Sequence, residues 1–350
     1  MNRDELMALV DGGEPVRERD CSGLDLAGVD LTGAIFEDVS FAGARLAGVH
    51  LDEASLIGVD LTGADLSGAT LHLAAMIGPR CVGARFNDAM MGNSKYIDGD
   101  FTSADFSGAM LALAAFINPN LQDASFARCK LDRTSILNGQ AAGLDLRGAS
   151  LLQTNLMETD LRTAKVEGTI WAKAVLLKSD LSGMDLSGAD FTQAQCMDAD
   201  FSGADLRGSM LSQCNFKGAR LAGARFDKAR LDNALFMEAK AAGAIFDGAS
   251  LRQAIFLDAD LAQANLSGCD LWQALLIRAQ CAGARFTGAD LTYADLSHAD
   301  LTGADLSGTR LFRAKLHRSK QEKSNWQQST KDQALGDDPD LAESEDFKPK

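Results

Sequence analysis

This sequence has no apolar run approaching the length of a membrane span and no CxxC pair among its seven cysteines. The first absence excludes a transmembrane helix, and the second removes the usual zinc and dithiol signatures. His50, His72, His298 and His317 are scattered on outward positions far apart along the chain, so no catalytic triad is expected from them. The opening Met1-Asn2-Arg3-Asp4-Glu5 lacks the basic-then-apolar layout of a secretion signal. There is no basic stripe either. With 34 basic against 49 acidic residues and a net charge of -15, direct nucleic-acid binding is not expected.

What is present is a beat of five residues that runs without insertion or deletion from Cys21 to Leu316. Positions whose numbers end in 1 or 6 are mostly Leu or Phe, from Leu26, Leu31, Phe36 and Phe41 to Leu301, Leu306, Leu311 and Leu316. Two residues before each centre the side chain is small, as at Ala64, Ala104, Ala204, Ala224, Ala264 and Ala304. Between the two stands a recurrent Asp or Asn, as at Asp65, Asp105, Asp205 and Asn265. A period of five fits neither an amphipathic helix nor a half-buried strand, which leaves a repeat architecture. If each pentapeptide forms one side of a coil, four sides bring the chain back over itself and residues twenty apart become vertical neighbours.

The pattern A-(D/N)-L-x-x resembles the pentapeptide-repeat family over most of the chain. The resemblance implies an all-β fold, a right-handed quadrilateral β-helix of about fifteen four-sided coils, about 70 Å long at about 4.8 Å per coil. Each buried centre contributes about 1.5–3 kcal/mol, so the core is continuous. Three regions are expected: an N-terminal cap over 1–20, the β-helix over 21–318, and an acidic, polar, disordered tail over 319–350. The cap contains a helix over 2–11, with Asn2 or Asp4 as its N-cap, an apolar face of Leu6, Met7, Leu9 and Val10, and Gly12-Gly13 as its stop. In the tail, Trp326 is the residue that could pack on the last coil or on a partner. Pairing of relatives through their C-terminal coils adds a homodimer to the expected partners.

All seven cysteines face the core: Cys21, Cys81, Cys196 and Cys281 as centres, Cys129, Cys214 and Cys269 in the small position. They read as small buried hydrophobes in a reducing cytoplasm, with no metal and no cofactor.

Outward residues sort into four sides by their numbers. One side carries Asp60, Asp100, Asp160, Asp180, Asp200, Asp260 and Asp300 just before its centres, interrupted by Arg80, Arg220 and Lys240. Its small-residue column also reads Pro79, Gly99, Pro119, Gly139, which predicts an altered corner. Another side carries Ile57, Ile77, Ile97, Ile117, Leu137, Met157, Leu177, Met197, Met237, Leu257 and Ile277 just after its centres, interrupted by Lys217. That position should face water, and on the other sides it is usually Ser, Thr, Ala, Asp or Arg. Ile35, Val175, Leu235, Ile255 and Leu275 widen this stripe. Stacked Ile and Leu can stabilise adjacent coils by about 0.2–1 kcal/mol per pair without any partner. An apolar strip of this length also exceeds what a monomer usually exposes, which points to a protein partner.

The expected function is therefore non-enzymatic: a structural or interaction scaffold. The resemblance adds two alternatives, a DNA mimic that binds a type II topoisomerase such as gyrase through the acidic face, and an accessory or effector protein of a bacterial secretion system.

Overall fold

The computed structural model describes residues 1–347 and divides into two units, Met1–Asp180 and Leu181–Lys350. The first opens with helix α1 (Arg3–Asp11). Asn2 caps it in a reciprocal box: its side chain accepts from the Glu5 amide while the Glu5 carboxylate accepts from the Asn2 amide. Leu6 is buried, and the Met1 ammonium donates to the Asp20 carbonyl at 3.0 Å, which fixes the helix to the first turn of the coil.

Seven short strands follow: β1 (Val16–Arg17), β2 (Ile35–Glu37), β3 (Ser55–Ile57), β4 (Ala75–Ile77), β5 (Lys95–Ile97), β6 (Ala115–Ile117) and β7 (Ser135–Leu137). They form one parallel sheet in sequence order. Phe36 pairs with Leu56, Leu56 with Met76 and Met76 with Tyr96, so one turn is twenty residues and the centres stack. This is a parallel β-solenoid. Its other sides are joined by single bridges such as Asp60 to Arg80, Asp65 to Arg85 and Thr70 to Met90. Regular strand pairing covers only six steps of the coil on this one side, fewer than the about fifteen regular coils expected, and single bridges at the same twenty-residue spacing hold the other turns. Elsewhere the turns between sides leave one bridged residue per side, too little for a strand.

The repeat motif has a backbone explanation. Two residues after nearly every centre φ is positive, as at Gly63 (64°), Asp98 (54°) and Leu73 (60°), because the chain turns a corner there. The Asp or Asn before each centre accepts from the amide after it, as in Asp65 from Ser67 at 3.1 Å and Asn265 from Ser267 at 3.1 Å. Hydroxyls and thiols in the small position reach the carbonyl of the turn before, as Thr134 does to Leu111 at 2.6 Å and Cys129 to Phe106 at 2.8 Å. All seven cysteines are buried. In the altered corner, a Cβ on Gly99 would lie 2.5 Å from the Phe101 ring and 3.0 Å from Pro79, so glycine there makes room for both neighbours. Inside this unit Phe86, Phe106 and Phe126 stack at 4.8 and 4.6 Å.

The second unit keeps the same register through bridges such as Asp185 to Asp205 and Leu235 to Ile255. Phe216, Phe236 and Phe256 form one stacked column, and Phe226 and Phe246 another. The coil does not stop at 318. Asp300 bridges to Lys320, Asp305 to Asn325 and Lys315 to Leu335. A short 3-10 helix (Lys331–Gln333) and helix α2 (Pro339–Asp346) follow, which corrects the expectation of a disordered tail. Its last residues, 348–350, lie outside the described residues. Composition misled here because α2 is held by polar side chains of the coil rather than by an apolar face of its own. In the final turn the inward positions are Gln321, Trp326 and Lys331; the Lys331 ammonium lies 4.2 Å over the Trp326 ring and donates to Gln321 Oε1 at 2.6 Å. Trp326 thus packs on the last turn.

Candidate functional site

In the first unit the apolar column is in register by strand pairing: Ile57 opposite Ile77, Ile77 opposite Ile97, Ile97 opposite Ile117, and Ile117 opposite Leu137. None of these side chains enters the core. Ile57 and Ile77 are 38% and 44% exposed, and Ile97, Ile117, Leu137, Met157 and Leu177 are half-buried. Ile35, 40% exposed, extends the stripe at its start. A polar ladder borders it: Asn118 Nδ2 donates to Asp98 Oδ1 at 2.9 Å and Asn138 Nδ2 to Asn118 Oδ1 at 3.0 Å.

Column-by-column reading of the sequence missed a second apolar group on the adjoining side. Met90 and Met110 are bridged to one another and exposed, and Leu73 and Leu113 are each 51% exposed. The signal was available. Leu73 and Leu113 stand at positive φ (60° and 63°), where the repeat ordinarily places Gly, Asn or Asp, so leucine carries a backbone cost there.

In the second unit Met197, Met237, Leu257 and Ile277 are half-buried in the same column position. Lys217 interrupts them, its ammonium 3.5 Å from Glu238 Oε1. Beside them Leu235, Ile255 and Leu275 are joined by successive bridges, which doubles the width of the apolar surface. The border is again polar, with Arg278 paired to Asp258 at 2.7 and 2.8 Å.

The acidic column is built differently from a free anionic surface. Asp60, Asp100 and Asp160 in the first unit, and Asp200, Asp260 and Asp300 in the second, each accept from the backbone amide two residues on, at 2.8 to 3.1 Å. Arg162 Nη2 is 2.6 Å from Asp160 and its Nε 3.2 Å from Asp180. Arg220 and Lys320 stand 3.6 Å from Asp200 and Asp300 respectively. The hydrogen bond from the Arg162 side chain is the largest influence on Asp160 and holds its carboxyl below the usual range.

The histidine expectation is half right. His50 and His72 stay on the first unit's surface, but His298 and His317 come together, their rings 5.4 Å apart. Nineteen residues is one turn less one position, which makes them near vertical neighbours. Helix α2 brings Glu345 to both of them, at 3.0 and 3.4 Å.

Among the described residues no helix is long and apolar enough to cross a membrane. No curated protein matches this chain. Solved structures similar to it include HetL, a pentapeptide repeat protein involved in heterocyst differentiation regulation from the cyanobacterium Nostoc sp. strain PCC 7120, at 21% identity over 93% of this chain and 94% of that one (TM-score 0.24). A pentapeptide repeat protein of the Arabidopsis thaliana thylakoid lumen is 26% identical over 39% of this chain and 70% of that one (TM-score 0.21). A trypsin-treated form of QnrB1, a plasmid-mediated fluoroquinolone resistance protein, is 22% identical over 73% and 88% (TM-score 0.22). At such TM-scores these likenesses carry no argument about this chain. The family models do: pentapeptide repeats match in eight copies, over 20–57, 34–72, 54–93, 154–193 and 279–318, and the pentapeptide repeat region matches 209–286. Together they take in well over half of the sequence, and its five-residue register is the one the coil uses, so this chain belongs to the pentapeptide-repeat family.

Proposed function

We propose that this protein is a non-enzymatic scaffold that binds a protein partner through the apolar columns on one side of its coil. The observation that carries this reading is the in-register run from Ile57 to Leu137, at a position that is mostly small or polar on the other sides of the same turns. Methionines at 157, 197 and 237 suit an adaptable contact surface, since an unbranched thioether repacks at little cost. The bordering amides and ion pairs give such a contact a polar rim.

The acidic column supports topoisomerase binding less well. Arg162 pairs with Asp160 and Asp180, Arg220 with Asp200 and Lys320 with Asp300, and Arg80, Arg220 and Lys240 interrupt the column. A DNA mimic needs unpaired charge at regular spacing.

The test is a triple variant, Ile97→Ser, Ile117→Ser and Leu137→Ser, in the full chain. Far-UV circular dichroism should be retained, because these side chains lie outside the core. Self-association by sedimentation velocity, or capture of a purified partner, should be lost. Retention of the same association by a folded triple variant would overturn the reading. A gyrase supercoiling assay with the unaltered protein addresses the alternative, and no inhibition is expected.

A further inference from the structure

His317 stands in the column position that is Met237, Leu257 and Ile277 in earlier turns, yet it is only 2% exposed. Helix α2 lies against it. The Glu345 carboxylate is shared between two rings, Oε1 3.0 Å from His298 Nε2 and Oε2 3.4 Å from His317 Nε2. All three donor atoms lie within 4.8 Å of one another. Two imidazole nitrogens and one carboxylate oxygen converging on one point form a donor set suited to borderline divalent metals, Zn(II) above all.

We infer that His298 Nε2, His317 Nε2 and the Glu345 carboxylate form a divalent transition-metal site that clasps α2 to the last turns of the coil. The ligands come from two successive turns and from the helix, so loading couples to helix docking and not to folding of the coil itself. The surroundings define what loading does. The Asp338 amide donates to His317 Nδ1 at 3.0 Å, so the neutral ring carries its hydrogen on Nε2 and gives it to Glu345. A metal at Nε2 would need the other tautomer, with the hydrogen on Nδ1 and the Asp338 amide no longer donating to that nitrogen. The Asp337 carboxylate, 3.8 Å from Nδ1, is placed to accept the new N–H, as the outer partners of metal-bound histidines do. Arg318 Nε, 3.3 Å from Glu345 Oε2, competes for the carboxylate, while its Nη2 is occupied by Asp346 at 2.6 Å.

The experiment uses the full, untagged chain, stripped with a chelator and titrated with Zn(II) against a chromophoric competitor, with hydrogen exchange of the amides over 339–346 as second readout. Uptake of one Zn(II) per chain and slower exchange in α2 on loading are expected. Glu345→Gln and His298→Gly, the latter suited to the left-handed backbone there (φ 60°), should each weaken uptake at least tenfold and abolish the added protection. A His50→Ala, His72→Ala double variant should bind as the parent does. No stoichiometric uptake, or uptake unchanged in both Glu345→Gln and His298→Gly, would overturn the assignment and leave a hydrogen-bonded cluster.

Discussion

Phe236 and Phe256 lie face to face across one turn of the coil, their ring centroids 4.6 Å apart and their planes 4° from parallel. Phe246 meets both edge-on, at 5.9 and 6.2 Å. A core of this kind has no slack, because rings above and below are held by backbone spacing. Phe246→Ala should therefore cost about 3–5 kcal/mol, the range for emptying an aromatic site in a packed interior. Denaturant unfolding followed by circular dichroism would measure it, and a loss under about 1 kcal/mol would mean the column collapses to refill the space.

Acid should destabilise the coil in a defined window. Asp145 and Asp205 are held below the usual carboxyl range, first by side-chain hydrogen bonds from Arg147 and Arg207 and further by backbone amides; Asp300 is held low first by Thr302. Each is depressed in the folded chain, so its contribution is fully present above the unfolded value near pH 4 and lost as pH falls through the folded value. The melting temperature should be flat above about pH 5 and fall below about pH 4. Asp145→Asn should lower stability at neutral pH by about 1 kcal/mol, a charge-assisted bond discounted for the exposed Arg147, and flatten part of the acid slope. An unchanged acid profile in that variant would show the Asp145 bond to be idle.

The thiols should be silent until the chain unfolds. Burial pushes Cys129 and Cys269 up to about 12 and raises Cys81 and Cys281 as well. Cys129 and Cys269 also donate to the Phe106 and Phe246 carbonyls at 2.8 and 2.9 Å. A thiol-reactive chromogenic disulfide at pH 8 should label none of the seven natively and all seven in denaturant. Fast native labelling at any of them would show local opening of that turn.

Lys331 and Gln321 take the place that Leu and Phe hold in most earlier turns, and an inward charge at the end of a ladder discourages another strand from adding to it. Replacing both by Leu should make the chain self-associate. Sedimentation velocity should show concentration-dependent dimers in Lys331→Leu, Gln321→Leu that the parent lacks at that end. An unchanged profile would mean that α2 and the 3-10 helix already cover the edge.

The coil was legible because its signal is periodic: Leu56, Met76, Tyr96 and Phe116 are all core centres, and their numbers alone placed them in one column. The outward direction of Ile77 and Leu137 followed from the same count. The role of the acids was legible in part, since Asp65 and Asp205 do serve the backbone, as short polar side chains before a turn should. Helix α2 was not legible. Its anchors, His298 and Arg318 to Glu345 and Asp346, are polar contacts from distant positions that leave no repeat in the sequence. Leu73 and Leu113 were overlooked for a different reason: they sit two positions past a centre, where the eye expects glycine and reads an exception as noise.

The pairing of Phe36 with Leu56, and of Leu56 with Met76, has a bearing on how such a chain can change length. Excising one whole circuit, 101–120 for instance, would keep every later side chain above a counterpart of its own kind. Excising a single pentapeptide would rotate everything downstream by a quarter circuit, setting the apolar column over the small and polar residues that follow the centres of another side and severing the surface pattern while sparing the interior. A change in length by any multiple of five therefore preserves the interior, but only multiples of twenty preserve the columns on the outside.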